Sequence, residues 1–198
     1  MGEAIEDQQV PPSPIPGQGR IERPPTKVGW HIASVYRCGL PDAEPVNRAI
    51  DAAFRMLDEQ DFNRRSHFVE DRFENLYLDL SHMPALIPVM DQAIACASLI
   101  LERPSEALRF GFWFNSMAPG QSTSLHTHEE DDELLSVVYY VTAARDSGDL
   151  LLYDGPATVR IRPEAGTFLF FPPDLPHAVE TNRSQEPRLS IGINIGPR

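Results

Sequence analysis

The sequence predicts a mainly β protein, a sandwich, jelly roll or barrel braced by two helices. Three observations predict it. From residue 108 onward the apolar periodicity changes from helical spacing to short runs rich in Val, Ile, Leu, Phe and Tyr. Those runs are separated by turn residues, such as Asp146–Ser147–Gly148 and Asp154–Gly155–Pro156. No helical pattern interrupts them, which argues against a parallel sheet with crossover helices.

The elements follow in order. Residues 11–25, PPSPIPGQGRIERPP, hold six prolines and two glycines and read as an extended, flexible arm occupying 1–27. A single domain then spans 28–198. Residues 45–59 fit a helix, with Val46, Ile50, Ala53, Phe54 and Leu57 on one face and Pro45 in the first turn. Residues 84–101 fit a second helix, its start or a kink marked by Pro88 and its end by Pro104. The polar stretch between them holds a turn and one or two short strands. The helical support thus covers about 45–101 and the barrel core about 108–196. Strands are expected at 108–117, 134–142, 149–153, 157–162, 167–171, 177–181 and 188–195.

Composition limits the function. A length of 198 residues suits one core. Seventeen basic against 29 acidic residues leave a net charge of −12, with Lys27 the sole lysine. That balance excludes nonspecific nucleic-acid binding, which needs a basic footprint. No uninterrupted apolar run reaches 18 residues, so no membrane association is expected. The acidic start MGEAIEDQQV is unlike a secretion signal, and a cytoplasmic setting is the default. Cys38 and Cys96 are too few for a disulfide framework and receive no role.

The chemistry concentrates in histidines. His126 and His128 flank Thr127, so on a strand both imidazoles point to one face. His177 lies about fifty residues on, after PPDLP, where an antiparallel barrel strand can bring it alongside. Three imidazoles suit iron, zinc, nickel or copper and leave positions open for substrate and oxygen. His31, His67 and His82 are expected to be structural or exposed. Arg188, Ser190, Gly192 and Asn194 share one strand face, while Leu189, Ile191 and Ile193 share the other. An arginine facing a barrel interior is costly unless paired, and a dicarboxylate or a protein carboxylate supplies the partner. Trp113 and Asn115 also share a face toward the same interior.

The runs FNSMAPGQSTSLHTH, SVVYYV, GDLLLYD, PEAGTFLFFPPDLPHAVETN and PRLSIGINIG together resemble the 2-oxoglutarate- and Fe(II)-dependent oxygenases related to prolyl hydroxylases, in a bacterial branch carrying histidine-any-histidine. The resemblance covers residues 108–196. It implies a double-stranded β-helix, Fe(II) on His126, His128 and His177, and 2-oxoglutarate held through its far carboxylate by Arg188 and Ser190. Asn115 or Tyr140 would add a hydrogen bond. The superfamily's usual acid two places after the first histidine is absent, since His128 stands there. The expected activity is hydroxylation of an unactivated C–H bond of a small molecule, consuming O2 and releasing succinate and CO2. A homodimer is left open.

The acid run Glu129, Glu130, Asp131, Asp132 and Glu133 reads as a solvated loop. Two other ligand sets stay open. Glu130 could complete a two-histidine, one-carboxylate triad with His128 and His177. Alternatively, Gly120, His126, His128 and Glu133, followed by His177 and Asn182, resemble the spacing of cupins, which share the barrel and imply a 2-oxoglutarate-independent dioxygenase, an isomerase or a non-enzymatic metal-binding or sensing barrel.

Overall fold

The computed structural model describes residues 21–28, 34–128 and 132–198. The described strands are β1 (Thr26–Lys27), β2 (Tyr36–Gly39), β3 (Arg64–Val69), β4 (Arg72–Tyr77), β5 (Leu108–Met117), β6 (Thr123–His126), β7 (Leu135–Thr142), β8 (Leu150–Asp154), β9 (Ala157–Ile161), β10 (Thr167–Phe171), β11 (His177–Val179) and β12 (Arg188–Pro197). Two α-helices, α1 (Ala43–Phe54) and α2 (Ile87–Leu101), precede the barrel strands. One sheet runs β1-β2-β10-β7-β12-β5-β4-β3 and the other β6-β11-β8-β9. All pairings are antiparallel. Strands β5 to β12 divide four and four between the two sheets, which is the double-stranded β-helix.

The two faces of the larger sheet explain its composition. On β7, Val137, Tyr139 and Val141 join the core under the helices, while Tyr140 joins the core inside the barrel. On β10, Phe168 and Phe170 face the helices, and Leu169 and Phe171 face inward. Burial on both faces requires nearly continuous apolar runs, which is why SVVYYV and TFLFF are so legible.

The helices differ from expectation at their ends. α1 begins at Ala43 after Asp42, which is left-handed, so Pro45 still falls within the first turn, where no amide hydrogen is needed. It ends at Phe54 rather than at residue 59. Met56 and Leu57 donate to Ala53 and Phe54, a tightened final turn, and Asp58 Oδ1 accepts from Gln60 N to divert the chain. α2 starts at Ile87, with Pro88 in its first turn, after a short 3₁₀ turn over Pro84–Leu86. The segment Pro84–Leu101 is long and apolar enough to cross a membrane by composition alone. Here Val89, Met90, Ala93, Cys96 and Ala97 are buried in the core that α2 shares with the larger sheet.

Two further corrections concern the N-terminal half. Residues 1–20 of the expected arm lie outside the described residues, but Thr26 and Lys27 pair with Arg37 and Tyr36, and Ile21 packs on the core. An edge position tolerates the prolines just before them. Cys38 of β2 and Cys96 of α2, given no role from sequence, are paired as a disulfide. Gln92 Nε2 donates to the Gly39 carbonyl beside them (3.2 Å).

Candidate metal centre

β6 and β11 are neighbours, and their register sets His126 directly opposite His177. Their ring centroids are 4.2 Å apart. β6 ends at His126, so His128 lies past the strand rather than on it. Its backbone N–H donates to Pro173 O (2.8 Å), and this ties it to the segment leading to His177. Its ring is 4.9 Å from that of His126 and 5.1 Å from that of His177. One ligand atom from each of the three histidines lies within 4.8 Å of the others.

The tautomers follow from the neighbours. His126 Nδ1 faces Ser124 O (2.8 Å), and His177 Nδ1 faces Leu175 O (2.9 Å). A carbonyl only accepts, so each Nδ1 carries the proton and each neutral ring keeps its Nε2 lone pair for a ligand. The same two-residue back-bond on two strands orients both rings, as carbonyl partners do at metal sites. Burial, with His177, His126 and His67 nearby, lowers the pKa of His128 to about 3. Burial and His126 lower that of His177 to about 4. These two rings are therefore neutral and able to ligate near pH 7.

Deeper in the barrel, Arg188 is 1% exposed. Its Nη1 donates to Gly148 O (2.9 Å) and its guanidinium lies 4.9 Å from the Tyr140 ring centroid. Gly148 has φ +96°, and a Cβ there would lie 2.2 Å from Glu180 O, so the turn presenting this carbonyl requires glycine. Among the described residues, Arg188 Nε and Tyr140 Oη are buried without hydrogen-bond partners. A narrow cleft joins the three histidines to Arg188, Ser190 and Asn115, with Trp113 and Phe171 on its walls. Tyr140 stacks against Arg188 rather than lining that cleft. Ser190 Oγ donates to Asn115 O (3.4 Å), and Asn115 Nδ2 donates to Thr123 Oγ1 (3.3 Å). His126, His128, His177, Arg188, Ser190, Asn115 and Tyr140 thus lie in or against one cleft.

The acids behave differently. Among the described residues no carboxylate joins the three imidazoles. Glu133 accepts from Asn194 Nδ2 (3.3 Å), and Asp132 pairs with Arg109. Asn182 spends its side chain on Met117 O, Glu186 O and Ser184, and Gly120 N donates to Asn182 O, so both build a turn. Glu129, Glu130 and Asp131 lie outside the described residues.

Sequence reasoning missed the support beneath His126. Arg72 and Glu74 of β4 have side chains 9% and 4% exposed, with Nη2 and Oε1 3.5 Å apart. Glu74 accepts from Ser124 N (3.1 Å) and Ser124 Oγ (3.2 Å). Arg72 donates to Ser122 O (2.5 Å), Thr123 Oγ1 (3.3 Å) and Asn115 Oδ1 (3.3 Å). Their spacing of two, on one strand face, was the only available signal. His67, expected to be structural or exposed, is exposed and lines the same mouth pocket as His126 and His128.

A double-stranded β-helix thus carries three converging histidines with a buried arginine behind them, an arrangement able to hold a metal ion. Residues 112–196 match the family model of the 2OG-Fe(II) oxygenase superfamily. The match covers most of β5 through β12 and none of the N-terminal half. Among solved structures, a Pseudomonas putida prolyl-4-hydroxylase is similar at 19% identity over 83% of this chain and 88% of that one, with a TM-score of 0.64. A Burkholderia pseudomallei oxidoreductase of the 2OG-Fe(II) oxygenase family is similar at 17% identity over 82% and 85%, with a TM-score of 0.64. The carbocyclase SnoK of nogalamycin biosynthesis is similar at 16% identity over 82% and 79%, with a TM-score of 0.67. Comparison with curated protein sequences gives no match.

The residues fit both groups that the superfamily implies. Two imidazoles back-bonded through Nδ1 and a third beside them suit Fe(II). The unpartnered Arg188 Nε and Tyr140 Oη suit a buried carboxylate.

Proposed function

We propose that the chain hydroxylates an unactivated C–H bond of a small molecule, converting 2-oxoglutarate and O2 to succinate and CO2. The observation that carries this reading is the orphaned donor pair, Arg188 Nε and Tyr140 Oη, buried behind a three-histidine cluster. In this reading His126, His128 and His177 hold the iron, and Arg188 and Ser190 hold the distal carboxylate of 2-oxoglutarate, with Tyr140 donating from behind. Bound iron would supply the redox chemistry that couples oxidative decarboxylation of 2-oxoglutarate to oxidation of the C–H bond.

The protein's own groups do the rest. His126 and His177 keep Nε2 aimed inward through their carbonyl partners. Arg188 is held by Gly148 O and the Tyr140 ring, so its fork is oriented before a carboxylate arrives. Asn115 is held by Arg72 and Thr123 and acts as a fixed wall of the cleft. Trp113, 5.2 Å from the His128 ring, and Phe171, 4.8 Å from the His177 ring, keep water from the rings' flanks. A prolyl-4-hydroxylase among the similar structures is consistent with hydroxylation, while a carbocyclase and an epimerase share the same fold.

The test is anaerobic titration of the Fe(II) protein with 2-oxoglutarate, following the metal-to-ligand charge-transfer band and binding heat. Wild type should show both. Arg188→Ala should weaken binding by roughly 30- to several-thousand-fold, the range for a lost buried charge contact. Arg188→Lys should restore only part, because a point charge lacks the fork. Protein that retains iron but shows neither band nor heat would rule the reading out.

A further inference from the structure

The open mouth of the barrel is a pocket of about 470 Å3 whose floor includes His126 and His128. Strand β5 contributes Gly111 and Trp113 to its base. On one side of β5 lies the β4–β3 hairpin and on the other lies β12. The two walls differ in hydrogen-bonding sense.

The hairpin wall offers donors. Asn75 Nδ2 lies 3.1 Å from His67 Nδ1, and Ser66 Oγ lies 3.0 Å from the same atom. An amide nitrogen only donates, so His67 Nδ1 accepts and the neutral ring carries its proton on Nε2. Asn75 Nδ2 also donates to Tyr77 Oη (3.4 Å), which leaves the tyrosine hydrogen to be given elsewhere. Arg64 lies with its guanidinium 5.0 Å from the Tyr77 ring centroid. Among the described residues it has no carboxylate partner, in a chain of net charge −12.

The placement of His67 is unusual. It has φ +57° within β3, although the pairs Ser66–Asn75 and Phe68–Phe73 on either side stay in one register. Alternation would send Ser66 and His67 to opposite faces, yet Ser66 Oγ and Asn75 Nδ2 both meet His67 Nδ1. A left-handed non-glycine residue in mid-strand is a strained conformation of the kind that clusters at ligand sites.

The β12 wall offers acceptors. Asn194 Nδ2 donates to Glu133 Oε1, and among the described residues Asn194 Oδ1 is buried with no hydrogen-bond partner. Both residues line the pocket.

We propose that this pocket binds a free amino acid. Its carboxylate meets Arg64, His67 and Tyr77, and its ammonium meets Asn194 Oδ1 and Glu133. Gly111 leaves room for the body of the molecule, since a Cβ there would meet nothing within 4 Å. The row Arg64, Tyr77, Trp113, His128, each ring or guanidinium 5–6 Å from the next, runs from the carboxylate anchor to the metal cluster. The inference names a substrate class and so rests on the proposed function, but binding tests it separately.

The probe set is the proteinogenic L-amino acids, with the methyl ester, the N-acetyl form and the 2-hydroxy analogue of each binder. They are titrated calorimetrically into the Mn(II)-loaded protein, with and without 2-oxoglutarate, and Mn(II)-induced relaxation of ligand protons reports proximity to the metal. At least one free amino acid should bind and relax. Its ester, and Arg64→Ala with the free acid, should each weaken binding roughly ten- to a hundred-fold, the range for one charged hydrogen bond. The N-acetyl form, and Asn194→Ala with the free acid, should weaken it too. Binding of 2-oxoglutarate should persist in Arg64→Ala, since its anchor is Arg188. If 2-oxoglutarate binds but no amino acid does, or if Arg64→Ala binds as wild type does, the inference fails while the proposed function stands. A hydroxy analogue that binds as well as the amino acid also overturns it. If amino acids bind but 2-oxoglutarate does not, the proposed function fails and the pocket assignment stands.

Discussion

Replacing Arg72 with Met removes the guanidinium while keeping most of its stem. Glu74 then remains 4% exposed at its side chain, with only the Ser124 N–H and O–H as partners. At 3.5 Å and an effective dielectric of about 20, the lost attraction is about 5 kcal/mol. Arg72 itself escapes desolvation, the cause that lowers its pKa most, so the net cost falls to about 3–5 kcal/mol. Glu74→Gln should cost less, about 1–2 kcal/mol, because the amide oxygen still accepts from Ser124. In the double variant no charge is stranded, and its cost should fall below the sum of the two single costs by more than about 1 kcal/mol. Urea unfolding of the metal-free protein, followed by circular dichroism, measures all four corners. Iron affinity gives a second readout. Ser124 O accepts from His126 Nδ1, so loosening Ser124 should weaken metal binding by about 10- to 100-fold. An Arg72→Met cost under about 1 kcal/mol, or strict additivity in the double variant, would refute the reasoning.

Gly192→Ala would place a Cβ 2.4 Å from the Trp113 ring, so about 1–3 kcal/mol of stability should be lost in urea unfolding, with a changed Trp113 emission. Gly111→Leu meets no neighbour at Cβ and should leave the unfolding midpoint near wild type, yet fill the mouth pocket and block amino-acid binding in the calorimeter. The pH dependence follows from His128 and His177, whose folded pKa values of about 3 and about 4 lie below the usual 6.5. Between those limits the unfolded chain binds more protons. The stability these rings contribute is therefore full above pH 6.5 and lost as pH falls toward 4, with a slope of up to about 1.4 kcal/mol per pH unit for each ring. Urea midpoints of the metal-free protein between pH 7 and 4.5 should show this fall, and His128→Gln should flatten it; equal slopes in the two proteins would count against the buried-neutral reading.

The sequence alone determined the barrel, because strands buried on both faces must be apolar at nearly every position. SVVYYV and TFLFF advertise themselves for that reason, and HTH followed by PPDLPH places imidazoles at strand ends, where a barrel opens. Arg188 was legible on similar grounds: charge on an inward face demands a partner. Helix limits were less legible, because Leu57 keeps the helical spacing although the chain has already tightened into a final turn. Other features had no local signature at all. The Arg72–Glu74 support depends on β4 lying beside β5 and close to β6, and the Cys38–Cys96 pair joins residues 58 apart in the chain. His67 reads as an ordinary surface histidine until a left-handed residue in mid-strand turns it toward Asn75. The division of the mouth pocket into a donor wall and an acceptor wall joins residues from 64 to 194, which only the sheet order brings together. Periodicity records how each segment meets water and core; which polar groups meet across segments is set by strand order and register, and these exist only once the chain has folded.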